Sequence, residues 1–216
     1  MYAKIFSLST AALLTATSAM AATDATATTD LNLRAGPGPM AEILTVIPGD
    51  EMVSVEECAT GLEWCKVTYD GTEGWAYSPY LTASIDSQPV VVYDNVQRLE
   101  IQSVDVNEDE RAASATVGGL SAGALAMSLI GGPAAVAAGV LAGTALGAAA
   151  VPEKTVTYVT EHPVEPVYLN GEVAVGAGIP QEVTLAAIPD TTESYAYING
   201  QPVIVDQDRT IVHVVR

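Results

Sequence analysis

The chain has 216 residues, 49% of them hydrophobic but only 6% aromatic, so its apolar content is Ala, Val and Leu rather than large rings. Eight Lys+Arg stand against 26 Asp+Glu, a formal net charge of −18 that would repel a phosphate backbone over most of the surface and excludes nucleic acid as a partner. Two histidines (His162 and His213) and two cysteines leave most metal centres and nucleophilic mechanisms without their side chains, so neither a metal, nor a cofactor, nor an enzymatic activity is expected.

In chain order, residues 1–21 read as a secretory signal peptide. Lys4 is its positive n-region, Ile5 to Ala19 its apolar stretch, and Ala19-Met20-Ala21 its small-residue cleavage site. Removing it would take away Lys4 and no acid, leaving 7 − 26 = −19. The expected location is therefore an exported one, the periplasm, where oxidising conditions let two cysteines pair. Ala22 to Thr29 reads as a Thr/Ala-rich leader. Beyond it come short strand signals: Leu31-Asn32-Leu33-Arg34, Ile43 to Val46, Met52 to Val55, Trp64 to Tyr69 and Gly74 to Tyr77. They are separated by turn-formers, among them Pro48-Gly49-Asp50 and the hairpin signal Asp70-Gly71. Five short strands in so few residues predict a small antiparallel barrel over 22–82.

Leu31-Asn32-Leu33-Arg34-Ala35-Gly36-Pro37-Gly38, then Gly61-Leu62-Glu63-Trp64-Cys65-Lys66-Val67, then Gly74-Trp75-Ala76 and Pro79-Tyr80-Leu81 resemble the bacterial SH3 domain family from about Thr28 to Thr82. The resemblance implies an exported, non-catalytic module that binds a cell-wall peptide or an envelope-protein partner. Arg34, Trp64, Tyr69, Tyr77 and Tyr80 are the candidates for an aromatic ligand groove. The alternative puts Trp75 and Tyr80 in the core and pairs Arg34 with a local acid. Asp24 to Thr82 holds ten acids and two bases, which favours a cationic or neutral ligand. Cys58 and Cys65 enclose a short loop and read as a disulfide, since Cys-x6-Cys without another nearby thiol or imidazole is poor metal-ligand spacing.

Residues 83–111 carry Pro89 to Tyr93 and the alternating run Leu99 to Val106. They are either an extension of the barrel or linker strands, ended by Glu108-Asp109-Glu110. Residues 112–152 contain no charged side chain. Small residues recur there every fourth position: Ala115, Gly119, Gly123, Gly131, Ala135, Gly139, Gly143 and Gly147, with Met127 the exception. On a helix this draws a smooth stripe against which another backbone can pack, and it resembles a glycine zipper. Gly131-Gly132-Pro133 divides it into two arms of roughly 26 Å each, at about 1.5 Å per residue. The reading is a helical hairpin that associates with a membrane or with copies of itself; a soluble hairpin and a linker are the alternatives.

Residues 153–216 return to strand patterns. Thr155 to Thr160 alternates β-branched residues, Val183 to Ile188 is apolar, and Tyr195 to Ile198 and Gln201 to Val205 flank the hairpin signal Asn199-Gly200, before Thr210 to Val215. Val175-Gly176-Ala177, Ile179-Pro180, Val183-Thr184-Leu185, Tyr197-Ile198-Asn199-Gly200, Val205-Asp206 and Ile211-Val212 resemble the DUF1236 family of envelope proteins, with the family's usual basic run reduced to Arg209. The fold class expected is mainly β with a helical insert: an SH3-like barrel, a central glycine-zipper hairpin and a small C-terminal β module. The function expected is a non-catalytic cell-envelope binding protein tethered or oligomerised through the zipper. A pore-like membrane oligomer and the targeting subunit of a wall hydrolase are the alternatives.

Overall fold

The computed structural model describes residues 22–107, 129 and 151–216. The expected signal peptide and the small-residue register through Gly119, Gly123, Gly131, Gly139, Gly143 and Gly147 lie outside the described residues. The described chain is mainly β, in two sheets.

The first sheet holds β1 (Thr23–Ala27), β2 (Leu31–Arg34), β3 (Ile43–Ile47), β4 (Met52–Ala59), β5 (Trp64–Tyr69), β6 (Thr72–Tyr77), β7 (Leu81–Ile85), β8 (Gln88–Val91) and β9 (Gln102–Val104). Their order is β3-β2-β6-β5-β4-β1-β7-β8, with β9 added parallel to the far end of β4. The β5–β6 hairpin turns at Asp70-Gly71, both with positive φ (45° and 75°), the geometry that the Asp-Gly pair selects. Gly74 is where β6 crosses β2 most closely. A Cβ there would lie 2.8 Å from the Arg34 carbonyl oxygen and 2.9 Å from Leu33 Cγ, so only glycine fits.

Two features of this sheet depart from the sequence pattern, and the described part of residues 83–111 follows the first of its two readings, an extension of the barrel. The Thr/Ala stretch expected to be a leader is β1, paired with β4 on one side and β7 on the other. Its alternation is carried by Ala25 and Ala27, whose small side chains are buried in the barrel core, and alanine weakens the apolar signal by which a strand is recognised. Residues 83–104 continue the same sheet. β7 and β8 form a hairpin over Asp86-Ser87, and the one-turn helix α1 (Val92–Asn95) follows and buries Val92. Of the alternating run Leu99 to Val106, only β9 is strand.

The second sheet has the order β10 (Ala186–Ala187), β11 (Ser194–Ile198), β12 (Gln201–Val205) and β13 (Ile211–Val214). Asn199-Gly200 makes its central hairpin, again with both φ positive (51° and 80°). The segment Thr155 to Thr160, expected to be a strand, lies inside helix α2 (Glu153–Glu161). Its apolar positions fit both periods. Tertiary packing selects the helical one, because Thr155 and Val159, one turn apart, are the buried pair. The Thr157 and Thr160 hydroxyls donate to the carbonyls four residues back, which gives these β-branched residues partners within the helix. The sheet is covered on both faces. Tyr195 and Ile204 pack with Val159 of α2 on one side, while Ala196, Ile198, Val203 and Val205 pack with Leu169, Val173 and Ile179 on the other. Val183 to Ile188 is mostly irregular chain over that second face, with only β10 as strand.

Cys58 and Cys65 are directly opposed on β4 and β5 and form a disulfide, with Cα atoms 3.9 Å apart. For so short a loop the chain-entropy relation gives about 2 kcal/mol of stabilisation. Replacing both cysteines by Ala should lower the unfolding free energy of the full chain by that amount in a urea titration. Gly74→Ala should cost about 1–3 kcal/mol through overpacking, read the same way.

Candidate functional site

Strand β2 shows how the site is built. A strand at the surface of a small barrel buries every second residue, and Leu31 and Leu33 do point into the core. Yet Asn32 and Arg34, on the opposite face, are 0% and 2% exposed. They are covered by the C-terminal module through the loop between Leu169 and Ala174. Glu172, itself 1% exposed, meets Arg34 in a two-pronged ion pair: Nε donates to Oε2, and a terminal guanidinium nitrogen donates to Oε1 at 2.7 Å. Asn32 Nδ2 donates to the same Oε1 and to Gln201 Oε1, each at 3.0 Å, and the Val173 amide closes on Glu172 Oε1 at 2.8 Å. The remaining guanidinium nitrogen donates to the Ala41 carbonyl at 2.6 Å, supplied by the Pro-Gly-rich loop after β2. A carboxylate with four donors and a guanidinium with three acceptor contacts meet the condition for a buried ion pair to persist: each charge has a partner and hydrogen bonds besides.

The aromatic candidates converge beside this pair. Trp64 and Tyr77 meet edge-to-face with centroids 5.3 Å apart, and Tyr77 and Tyr80 follow at 5.8 Å. Gly171, with φ at 93°, lies beside the Tyr77 hydroxyl, 3.6 Å from a hypothetical Cβ. Trp64, Tyr77 and Tyr80 are all buried within the barrel's own core cluster, while Tyr69 is half-buried at the barrel edge. Of the five groove candidates, three rings are thus core, as the alternative reading had it for Tyr80, and Arg34 is covered by Glu172; the acid that pairs with Arg34 is not local but 138 residues away. Ala174 even joins the barrel's core cluster. At the rim, Arg216 reaches Asp30, two residues before Asn32 on the same face, with 3.5 Å to its carboxylate and 3.2 Å to its carbonyl.

Burial pushes the Tyr77 phenol well above the usual tyrosine range, and its hydrogen bond to the Glu63 carboxylate (2.8 Å) reinforces the shift. Tyr80 is raised by burial first and by the Glu172 charge second.

The open surface lies elsewhere. A cleft of about 490 Å³ runs between the disulfide hairpin and α1, lined by Cys58, Leu62 and Ser78 on one side and by Tyr93, Asp94 and Arg98 on the other. Tyr93 is 45% exposed, one of the few large apolar side chains at the surface, and Arg98 is steadied by Asn95 at 2.9 Å. Sequence reasoning passed over these residues because they fall after the resemblance ends. The available signal was Tyr93 within an otherwise aliphatic run, with a base five residues later.

His162 stacks on Tyr158 at the end of α2, while His213 lies in β13 opposite Ile204. Among the described residues no group of three or more His, Cys, Asp and Glu could hold a metal ion. Arg209 donates to the carbonyls of Ile179, Pro180 and Val183, so this one remnant of the basic run is a strut for the loop. Among the described residues no helix is long and apolar enough to cross a membrane.

Compared with known families, residues 29–82 match the bacterial SH3 domain and residues 158–216 match a domain of unknown function, DUF1236. No curated protein matches the chain, and no solved structure does. Neither match is to an enzyme family.

The raised phenols give a pH prediction. A group whose folded pKa lies above its unfolded value near 10 contributes stability that is present below that pH and lost as the pH rises further. Tyr77 and Tyr80 should therefore stay protonated in the folded chain above about pH 10, and unfolding free energy should fall there. Phenolate absorbance and urea midpoints measured across that range check both.

Proposed function

We propose that the chain is a non-catalytic binding protein of the cell envelope, whose SH3-like module takes a cell-wall peptide or a peptide segment of an envelope protein in the cleft beside the disulfide. The observation that carries this is the composition of the cleft. Its lining brings together a half-exposed aromatic ring, Tyr93, an acid, Asp94, and a base, Arg98. Wall peptides carry amines and carboxylates together, and a site with one charge of each sign reads that pattern. The ring adds a flat apolar face. Trp64, Tyr77 and Tyr80 are buried in the barrel's own core and Arg34 is engaged by Glu172, whereas this cleft is open. The Cys58–Cys65 disulfide accords with an oxidising, exported compartment. The uncharged stretch 112–152, on its sequence pattern alone, supplies the tether to a membrane or to other copies.

Sedimentation with purified peptidoglycan tests the reading. The full chain should pellet with the wall polymer, and Tyr93→Ser combined with Arg98→Ser should reduce the bound fraction at least tenfold without changing the unfolding free energy in urea by more than about 0.5 kcal/mol, as expected of exposed positions. Equal retention of the double variant, or no retention of the parent chain, contradicts the assignment.

A further inference from the structure

The Arg34 face has the properties of a recognition site, and its present occupant is part of the same chain. Arg34 presents its planar fork to both carboxylate oxygens of Glu172, the geometry by which guanidinium reads a carboxylate. Asn32 adds an amide donor to the same oxygen. Gly171, held at a positive φ of 93°, bends the chain beside the Tyr77 hydroxyl just before Glu172. The loop that meets the barrel is short, from Leu169 to Ala174, and only Ala174 becomes part of the barrel core. Leu169 and Val173 belong instead to the core of the C-terminal sheet. Each module therefore keeps its own apolar core, and what passes between them is chiefly a polar, charge-directed contact.

The site also offers more than Glu172 uses. Asn32 Oδ1 and the Tyr80 hydroxyl are buried and have no hydrogen-bond partner among the described residues. The Asn32 amide is oriented by its two acceptors, Glu172 and Gln201, so Oδ1 is the atom left over. Buried polar atoms are rarely left unpaired, so each of these two, one beside and one facing the charge of Glu172, is an atom that a ligand could satisfy.

We propose that the β2 face is a binding site for peptide segments bearing a carboxylate, and that the C-terminal module occupies it as a resident, separable ligand through Glu172. This inference does not rest on the cleft at Tyr93, and it reverses the ligand charge suggested by the acidic composition of the barrel: the site itself is cationic, however acidic its surroundings. The partner it fits is a Gly-Glu segment flanked by small or aliphatic residues, which the chain supplies from Asn170 to Ala174.

The test uses the full chain with a protease site introduced between Ala112 and Leu125. After cutting, the two halves are separated and recombined, with binding followed by the fluorescence of Trp64 and Trp75, which report only the barrel half. The expected result is that each half keeps its folded near-ultraviolet circular dichroism, that the halves recombine, and that Glu172→Gln in one half or Arg34→Lys in the other weakens recombination at least tenfold while Met52→Ser leaves it unchanged. Each variant half is used only after its folded signature has been checked. Loss of folded signature in either parent half on separation, failure of the parent halves to recombine, or equal affinity of the Glu172→Gln half would each overturn the proposal. None of these outcomes bears on wall-polymer binding at the cleft.

Discussion

Arg34 carries a charge that the fold has taken out of water, and Glu172, from the far end of the sequence, answers it. Removing two ions from solvent costs several kcal/mol for each, and the attraction between them repays this only when the geometry is good and the remaining donors and acceptors are filled. Here the carboxylate receives donors from Arg34, Asn32 and the Val173 amide, and the guanidinium is shared between Glu172 and the Ala41 carbonyl. The arrangement is a constraint as much as a stabilisation. Once β2 turns a guanidinium outward, the structure is complete only when the C-terminal module brings its acid to that spot. The relative placement of the two sheets follows from this pair more than from any apolar contact.

That constraint explains why Arg34, one of the residues that looked like an external ligand site, is covered; Trp64, Tyr77 and Tyr80 are buried in the barrel's own core. Sequence motifs pointed to Arg34 and these rings, which sit on strands of one sheet and the turn that follows them. What they could not supply was the occupant. Glu172 is one of 26 acids, and nothing in its spacing marks it. The one available hint was that it stands alone between Leu169 and the apolar run Val173-Ala174-Val175, where an unpaired acid would be costly. On the other side of the pair, Arg34 is the sole base between Lys4 and Lys66. Pairing the two required the three-dimensional fold.

Local chemistry was easier to read. Asp70-Gly71 and Asn199-Gly200 each carry a residue pair that tolerates positive φ, and each became a two-residue hairpin. Cys58 and Cys65 were brought into register by the hairpin between β4 and β5. Misreadings arose where two periods fit the same residues or where side chains were too small to signal. Thr155 to Thr160 alternates and also places Thr155 and Val159 one helical turn apart; packing against Tyr195 and Ile204 favoured the helix. Thr23 to Ala27 looked like a leader because alanine buries little surface, yet it sits in the middle of the sheet between β4 and β7. One wall of the cleft at Tyr93 is made by α1 and the turn after it, which lie beyond the family motifs, so the sequence pattern did not point to it.

The claim on which this account stands is that one buried ion pair couples the two modules, and a double-mutant cycle in the full chain addresses it directly. Arg34→Met, Glu172→Met and the combined variant would be compared with the parent in urea unfolding. Each single change leaves an unpartnered buried charge and should cost about 3–5 kcal/mol, whereas the double variant removes both charges and should cost no more than either single change. The resulting coupling should exceed about 1.5 kcal/mol. Additive losses, with coupling below about 0.5 kcal/mol, would mean that the two side chains act independently and that something other than their pairing holds the modules together.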